Sequence, residues 1–532
     1  MPRTQLYSKM RPLHLVAVSL FLSAGMPAAA QVTAEVASIE ARAGLVSDRV
    51  RAAIPKLETY IETLIATDAV PGLAVAIVSG DEVYLKGFGI RKAGAPERVD
   101  ADTVFQIASL SKPVSSTIVA ALMSDGAFGW DTRISQIDPS FQLFEAYSTA
   151  NVTVADLLSH RSGLPEAVGD ELLTYGFDRE TILHRLRLVE PASSFRGRYE
   201  YSNSGFTAGA VAAAHAVGLE WEDAAETMLF GPLGMNSSSM RYGDFLAKEN
   251  HAELHVRHDG RWQARVKRNN DAQAPAGGVS TNVRDLARWM NFVLSNGVYD
   301  GRRIAAEDAL AASHIPLSFA GTHPIDGTPV FYGIGWGLTH GADGWVWTHA
   351  GAFTAGARSV VTFYPDRQFA VAVLSNAHPT GAPEAVTDKL VDLVLSSGDG
   401  PDTIEPWNAI YASMVPGYSS TKSDSASPPS PSPVLAPEAY VGRYRNPYLG
   451  TAVVTASDDG TLTLALGPDG NLKRPLRHVG RDRFTFALLD EVPETPFGIG
   501  FNIGAEGVAT TMSIDDFTDS GFGTLERMDD LP

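Results

Sequence analysis

Between residues 417 and 434 the chain reads Gly-Tyr-Ser-Ser-Thr-Lys-Ser-Asp-Ser-Ala-Ser-Pro-Pro-Ser-Pro-Ser-Pro-Val, and no packed core can run through such a stretch. Serine and proline offer little apolar surface to bury and favour an extended, flexible linker. The chain is therefore predicted to fold as two units, residues 31–416 and residues 435–532. The second carries turn signals at Asp459-Gly460, Asp469-Gly470 and Glu506-Gly507. They fall among alternating runs at Thr451–Ala456, Thr461–Leu466, Arg483–Leu488, Phe497–Ile503 and Thr510–Ile514. Period-two alternation broken by turns predicts a small all-β barrel domain.

The first unit opens with a helical pattern over residues 46–69, ended by Val70-Pro71-Gly72. Runs Leu73–Val78 and Glu82–Leu85, joined at Ser79-Gly80-Asp81, predict a hairpin. A helical middle follows, with Val154–His160, the alanine-rich 206–230, and Val283–Leu294 capped by Asn282. Strands return at Gly333–Leu338, Gly344–Thr348, Ser359–Tyr364 and Phe369–Leu374, before a helix over Ala382–Leu395. Strands at both ends of a helical middle predict an α+β fold in which early and late segments pair in one antiparallel sheet flanked by helices.

Arg3, Lys9 and Arg11 precede an apolar run, Leu13–Leu22, and Ala28-Ala29-Ala30 forms a small-residue cleavage site. Residues 1–30 read as a signal peptide, and the run is short for a membrane span. The mature protein is expected to be exported, periplasmic or secreted, with no stable membrane span. The absence of cysteine excludes disulfides, thiol nucleophiles and cysteine-bound zinc. With 42 Lys plus Arg against 61 Asp plus Glu, the net charge of −19 argues against nucleic acid as a partner.

Chemistry enters at Phe105–Pro113, where Ser109 and Lys112 stand in Ser-x-x-Lys spacing ahead of an apolar helical run. Residues three apart share a helix face, so the amine can reach the hydroxyl. Serine needs a neighbouring base to become nucleophilic, and lysine serves only if its pKa is depressed. Tyr201 and Asn203 form a second signal, a phenol for proton transfer and an amide to position Lys112 or substrate. A third is His349-Ala350-Gly351, where a strand ends and another begins. There His349 orients or binds substrate, Gly351 admits a close backbone approach, and the N–H groups of Ala352 and Ser109 can form an oxyanion hole. Each signal has a decoy: Ser419 and Lys422, Tyr444 and Asn446, His258 and Gly260. Their order and context separate the working set from the decoys.

Together the three motifs resemble those of the serine β-lactamase and penicillin-binding-protein superfamily, in its class C-like branch. That branch includes D-alanyl-D-alanine carboxypeptidases, D-aminopeptidases and family VIII esterases. Segments Pro71–Ala76, Leu157–Pro165, Tyr201–Phe206, Pro275–Gly278 and Tyr332–Trp336 agree in order, and the likeness covers roughly residues 50–400. The resemblance implies a β-lactamase-like antiparallel sheet with flanking helices and a helical region. It also implies acyl-enzyme chemistry without cofactor or metal. Ser109 is then the nucleophile, Lys112 and Tyr201 share the base and acid work, Asn203 positions, and His349 orients or binds substrate. Class C β-lactamases carry Lys-Thr-Gly where this chain has His-Ala-Gly, which ranks peptide or amide hydrolysis ahead of ester or β-lactam hydrolysis. Tyr440–Tyr444 with Asn446-Pro447 resembles the lipocalin-like domain of some exported peptidases of this superfamily. In those, the domain helps restrict the cleft or build oligomers; a bare stabilising appendage is the alternative reading. Small peptides, including D-residue or linearised cyclic ones such as microcystin, and a homo-oligomer are therefore the expected partners.

Three rivals remain. His251 and His255 have the i, i+4 spacing of a zinc helix, but Glu253 stands one place too late for His-Glu-x-x-His. No Gly-x-Ser-x-Gly marks an α/β-hydrolase. A non-catalytic peptidoglycan-binding module is disfavoured by retention of Ser109, Lys112, Tyr201 and Asn203.

Overall fold

A computed structural model describes residues 28–396, 398–400, 402–414, 433–487, 496–517 and 521–528. The signal peptide expected at 1–30 and the linker at 417–434 lie outside those residues, apart from Ala28–Ala30, Pro433 and Val434. Helix α1 (Ala28–Ala66) leads into the hairpin β1 (Gly72–Ser79) and β2 (Glu82–Gly89). The helical middle contributes α2 (Ser111–Leu122), α3 (Val154–Leu158), α4 (Asp170–Thr174), α5 (Asn203–His215) and α6 (Val283–Leu294). Next come β3 (Ser318–Thr322), β4 (Pro329–Tyr332), β5 (Gly337–Gly341), β6 (Gly344–Phe353), β7 (Ala357–Tyr364) and β8 (Phe369–Ser375). Helices α7 (Ala382–Val391) and α8 (Ile404–Met414) close the unit.

The eight strands form one antiparallel sheet in the order β2-β1-β8-β7-β6-β5-β4-β3. Early and late segments do meet: Leu73 of β1 pairs with Ser375 of β8, and Ser79 with Phe369. β1 is buried along its whole length because both sheet faces are covered. Leu73, Val75 and Ile77 pack into the cluster that holds Leu57, Ile61 and Leu64 of α1 with Ala385 and Val386 of α7. Ala74, Ala76 and Val78 face the opposite core, shared with α2 and α6. The small side chains stand on the face against which the helical region packs.

Several sequence expectations are corrected. Of the strand expected over Gly333–Leu338, residues 333–336 form a turn between β4 and β5, with Gly335 at φ 80° and Gly333 N–H donating to Trp336 O over 2.8 Å, and only Gly337 and Leu338 lie in β5. The single helix over 206–230 starts earlier, at Asn203, and breaks after His215, with Gly218 at φ 77° before a second helix from Trp221. His349 lies inside β6 rather than at a strand junction. Asn282 caps α6 as expected, its side chain accepting from Asp285 N–H over 2.8 Å.

The C-terminal unit is β9 (Gly442–Asn446), β10 (Gly450–Ala456), β11 (Leu462–Leu466), β12 (Leu472–Pro475), β13 (Arg477–Gly480), β14 (Arg483–Ala487), β15 (Pro496–Ile503), β16 (Ala509–Ile514) and β17 (Thr524–Arg527). They pair antiparallel in the order β12-β11-β10-β9-β17-β16-β15-β14-β13, a nearly closed, barrel-like sheet. Tyr440, Tyr444, Leu464, Ile499, Met512 and Leu525 fill its core. Tyr444 donates to Tyr440 O over 2.7 Å, so this decoy tyrosine has a structural job.

Candidate active site

The turn before α2 carries Ser109. Ala108 adopts φ 48°, a left-handed conformation that costs a non-glycine residue about 1–2 kcal/mol. Surrounding bonds hold it there: Ile107 N–H donates to Val279 O over 3.1 Å, Ser359 Oγ donates to Ile107 O over 2.7 Å, and Ser111 Oγ accepts from Val279 N–H over 3.0 Å. Ser109 leaves this turn just ahead of α2, and Lys112 follows in the helix's first turn. The expected meeting occurs, with Lys112 Nζ 3.1 Å from Ser109 Oγ.

Lys112 is fully buried. Burial drives its pKa down to about 7, against a smaller upward pull from Asp170. Besides Ser109, its Nζ donates to Asn203 Oδ1 over 2.7 Å and to Ala276 O over 2.9 Å. Both of these oxygens are acceptors only. A neutral amine therefore spends its two hydrogens on Asn203 and Ala276, leaving its lone pair for the Ser109 hydroxyl.

Asn203 begins α5, where Ser202 caps the helix by accepting from Gly205 N–H over 3.0 Å. Its amide orientation is fixed from behind, since Asn203 Nδ2 donates to Asp170 Oδ2 over 2.8 Å. Gln273 Nε2 donates to the other Asp170 oxygen, also over 2.8 Å. Burial pushes the Asp170 carboxyl up, while these donors and Lys112 pull it down. Sequence reading missed Asp170 and Gln273, because an isolated Asp at a helix start and a Gln before Ala-Pro-Ala-Gly-Gly match no catalytic pattern.

Tyr201 lies beside this pair, with Lys112 Nζ 4.5 Å from its ring centroid. Burial raises its pKa, and a hydrogen bond with Ser109 opposes the rise, so the side chain stays a neutral phenol. His160, another residue given no role from sequence, packs 4.5 Å from the Tyr201 ring and 5.0 Å from that of Tyr332. Its Nδ1 accepts from Ser202 N–H over 3.1 Å, anchoring the Tyr201–Asn203 segment. The His160 segment is braced in turn by Asp156, whose buried carboxylate takes Arg161 Nε at 2.7 Å and Arg196 Nη2 at 2.6 Å.

His349 Nδ1 lies 2.7 Å from Ala350 O, so Nδ1 carries the hydrogen, and Nε2 accepts from Tyr332 Oη over 3.0 Å. Burial first, then the Lys112 charge, holds its pKa down at about 3. It stands as a neutral ring that fixes Tyr332. Two residues on, a Cβ at Gly351 would lie 2.2 Å from Ile107 O and 2.7 Å from Leu110 N. Glycine is thus required where β6 crosses the Ser109 turn itself. Ser109, Asn203, Asp170 and Ala352 line one cavity of about 240 Å³, with Arg268 and Phe353 also on its wall.

The rivals fare differently. His251 and His255 stand outside any helix, and both ring nitrogens of His255 are occupied, by Asn376 O at 2.8 Å and Ala93 N–H at 2.9 Å. Among the described residues no three of His, Asp or Glu gather as a metal-binding group. His258 and Gly260 belong to a hairpin between Val256–His258 and Arg261–Gln263. Ser419 and Lys422 lie outside the described residues.

A family model described as Beta-lactamase matches residues 57–396, and one described as a domain of unknown function, DUF3471, matches residues 426–524. The chain is 24% identical over 470 residues to the Unguisins hydrolase ungD' of Aspergillus campestris, covering 84% of this chain and 86% of that one. It is 24% identical to Penicillin-binding protein 4* of Bacillus subtilis, over 60% of this chain and 71% of that one. The fold is similar to the octameric penicillin-binding protein homologue from Pyrococcus abyssi, with a TM-score of 0.55 at 19% identity. That match covers 87% of this chain and 98% of the other.

Proposed function

Because the chain belongs to the Beta-lactamase family and is a serine hydrolase, we propose that it is an exported enzyme that cleaves small peptides or amides through an acyl-enzyme on Ser109. The observation that carries this is the fully buried Lys112 amine, 3.1 Å from Ser109 Oγ, with two acceptor-only oxygens taking its remaining hydrogens. In the proposed cycle Ser109 Oγ attacks the amide carbon while its proton passes to Lys112 Nζ. The N–H groups of Ser109 and Ala352 receive the oxyanion. The neutral Tyr201 phenol gives its proton to the leaving nitrogen as the C–N bond breaks, and regains one from Lys112. Water then attacks the ester carbon, again giving its proton to Lys112, and Ser109 Oγ leaves protonated.

A small cavity and relatives named as a hydrolase and as penicillin-binding proteins support a short peptide-like substrate. The Arg3–Ala30 pattern supports export, with residues 31–416 as the catalytic unit and 435–532 as a second unit. Among the described residues no helix is long and apolar enough to cross a membrane.

The test is product mass after incubation with a mixed panel of L- and D-peptides, linear and cyclic, together with simple esters and a β-lactam. Amide cleavage that disappears in Ser109→Ala is the expected result. Ester cleavage alone, equally dependent on Ser109, would reassign the substrate class. Amide turnover surviving in Ser109→Ala would overturn the mechanism.

A further inference from the structure

The C-terminal unit touches the catalytic one at a place with chemical meaning. Between β9 and β10 the chain reads Asn446-Pro447-Tyr448-Leu449-Gly450. Asn446 Oδ1 accepts from Leu449 N–H over 2.6 Å and Asn446 Nδ2 donates to Phe522 O over 2.7 Å, which fixes this turn on the barrel. Tyr448 projects from it, wholly buried, with its ring stacked on Phe522 at 4.1 Å and an interplanar angle of 17°. From the catalytic unit, Arg185 Nη1 donates to Tyr448 O over 2.6 Å, and the Arg185 guanidinium sits 4.1 Å from the Phe177 ring centroid.

The hydroxyl of Tyr448 reaches further. It accepts from Gly169 N–H over 3.1 Å and donates to Glu171 Oε1. These are the residues on either side of Asp170. Gly169 adopts φ 86°, and a Cβ there would lie 2.3 Å from Ser204 Oγ, so the segment has little freedom of its own. Asp170 accepts from Asn203, and Asn203 accepts from Lys112. Packing alone would be served by phenylalanine; both bonds of the hydroxyl end on the two neighbours of the carboxylate behind the proposed base.

We propose that Tyr448 is a positioning residue of the catalytic centre: by clamping Gly169 and Glu171 it fixes Asp170, and through Asp170 the grip of Asn203 on Lys112. The inference rests on the reading of Ser109 and Lys112 as nucleophile and base. It gives the C-terminal barrel a part in acylation, whatever the substrate. The charged and titratable groups facing Lys112 are Asp170, which raises its pKa, and His160 and His349, whose own values its charge lowers, with the neutral Tyr201 beside them. Those facing Tyr448 are Glu171, Asp170 and Arg185.

The experiment follows covalent labelling by a serine-directed fluorophosphonate against pH, for the full chain and for Tyr448→Phe, Asp170→Asn and their double variant. Peptide turnover is not needed for this readout. Misplacement of the relay is expected to slow labelling of Tyr448→Phe about tenfold. The acid limb should move to lower pH, because a displaced carboxylate supports the ammonium less, and it should move further in Asp170→Asn. The double variant should be no slower than Asp170→Asn alone, since both changes cut one path. A Tyr448→Phe protein with wild-type rate and limb, even if less thermostable, would reduce the contact to an anchor and overturn the inference. If Tyr448→Phe does not fold, Glu171→Gln carries the same test: a moved limb supports the clamp, an unmoved one sinks it. Wild-type protein that folds yet stays unlabelled would remove the Ser109 reading and the inference together, whereas labelled wild type with unmoved variants removes the inference alone.

Discussion

The amide of Asn203 joins a buried amine to a half-buried carboxylate, with its oxygen 2.7 Å from Lys112 Nζ and its nitrogen 2.8 Å from Asp170 Oδ2. Lys112 is fully buried and Asp170 lines the cavity, and each tunes the other through a side chain that cannot titrate. The electrostatic consequences can be measured.

Acylation should rise with pH through a limb near 7, the value to which burial lowers Lys112. Stability should follow the same group. Between about 7 and the unfolded value near 10.5, the unfolded chain keeps the lysine proton that the folded state has lost. The unfolded state then binds more protons, so stability rises with pH across that window. Denaturant unfolding of wild type against Lys112→Met should show a difference that moves in favour of wild type from pH 7 to 10; a constant difference contradicts the assignment.

His349→Gln should leave that limb where it is. The ring is neutral above about pH 3 and carries no charge in the working range. Labelling rates should fall modestly as Tyr332 exchanges a rigid ring acceptor for the flexible Gln oxygen, at a cost of at most about 1 kcal/mol. Disappearance of the limb in this variant would assign it to the histidine.

Gly351→Ala forces a methyl group to within 2.2 Å of Ile107 O and 2.7 Å of Leu110 N, both of them backbone atoms. Overpacking of this kind costs about 1–3 kcal/mol, and here the displaced backbone carries Ser109. A lowered Tm together with lost labelling is expected. Wild-type labelling would mean that β6 crosses the Ser109 turn with more room than these distances allow.

Asp156→Asn tests the brace behind His160. Burial pushes this carboxyl up, but hydrogen bonds from Arg196 and Thr153 and the charge of Arg161 outweigh it and hold the pKa below the usual value. Its stabilisation is therefore present above the unfolded pKa of about 3.9 and lost as pH falls through the folded value. Removing the charge while its arginines remain should cost about 3 kcal/mol at neutral pH. Equal unfolding midpoints of variant and wild type at pH 7 would refute the brace.

Much of the site was legible because its chemistry is local. Ser109 and Lys112 meet through helix spacing alone, and the Tyr201, Asn203 and His349 motifs stand out by residue type and order. Asp170, Gln273 and Tyr448 were not legible, since what matters is which side chain faces them across the fold. In the fold, Leu73–Val78 and Phe369–Leu374 were read as strands because an apolar run covered on both faces announces itself. The first part of Gly333–Leu338 misleads for the same reason: Ile334 and Trp336 are buried in a turn, and burial without alternation does not distinguish turn from strand.

The pairing of Leu73 with Ser375 also dictates an order of assembly. A ribosome has released the turn of Ser109 and all the helices of the middle long before the partner of β1 exists. Until residues 369–375 emerge, β1 has one neighbour, and β7, whose Ser359 pins the Ser109 turn, has nothing to join it to β1. Contacts so distant along the chain are slow to form because the loop-closure entropy is lost before they reward it. A nascent chain halted before residue 369 holds Ser109, Lys112, Tyr201 and His349 and yet lacks the strand that joins the two halves of its sheet. Hydrolytic competence is in this sense a property of the finished molecule, withheld from its precursors by topology.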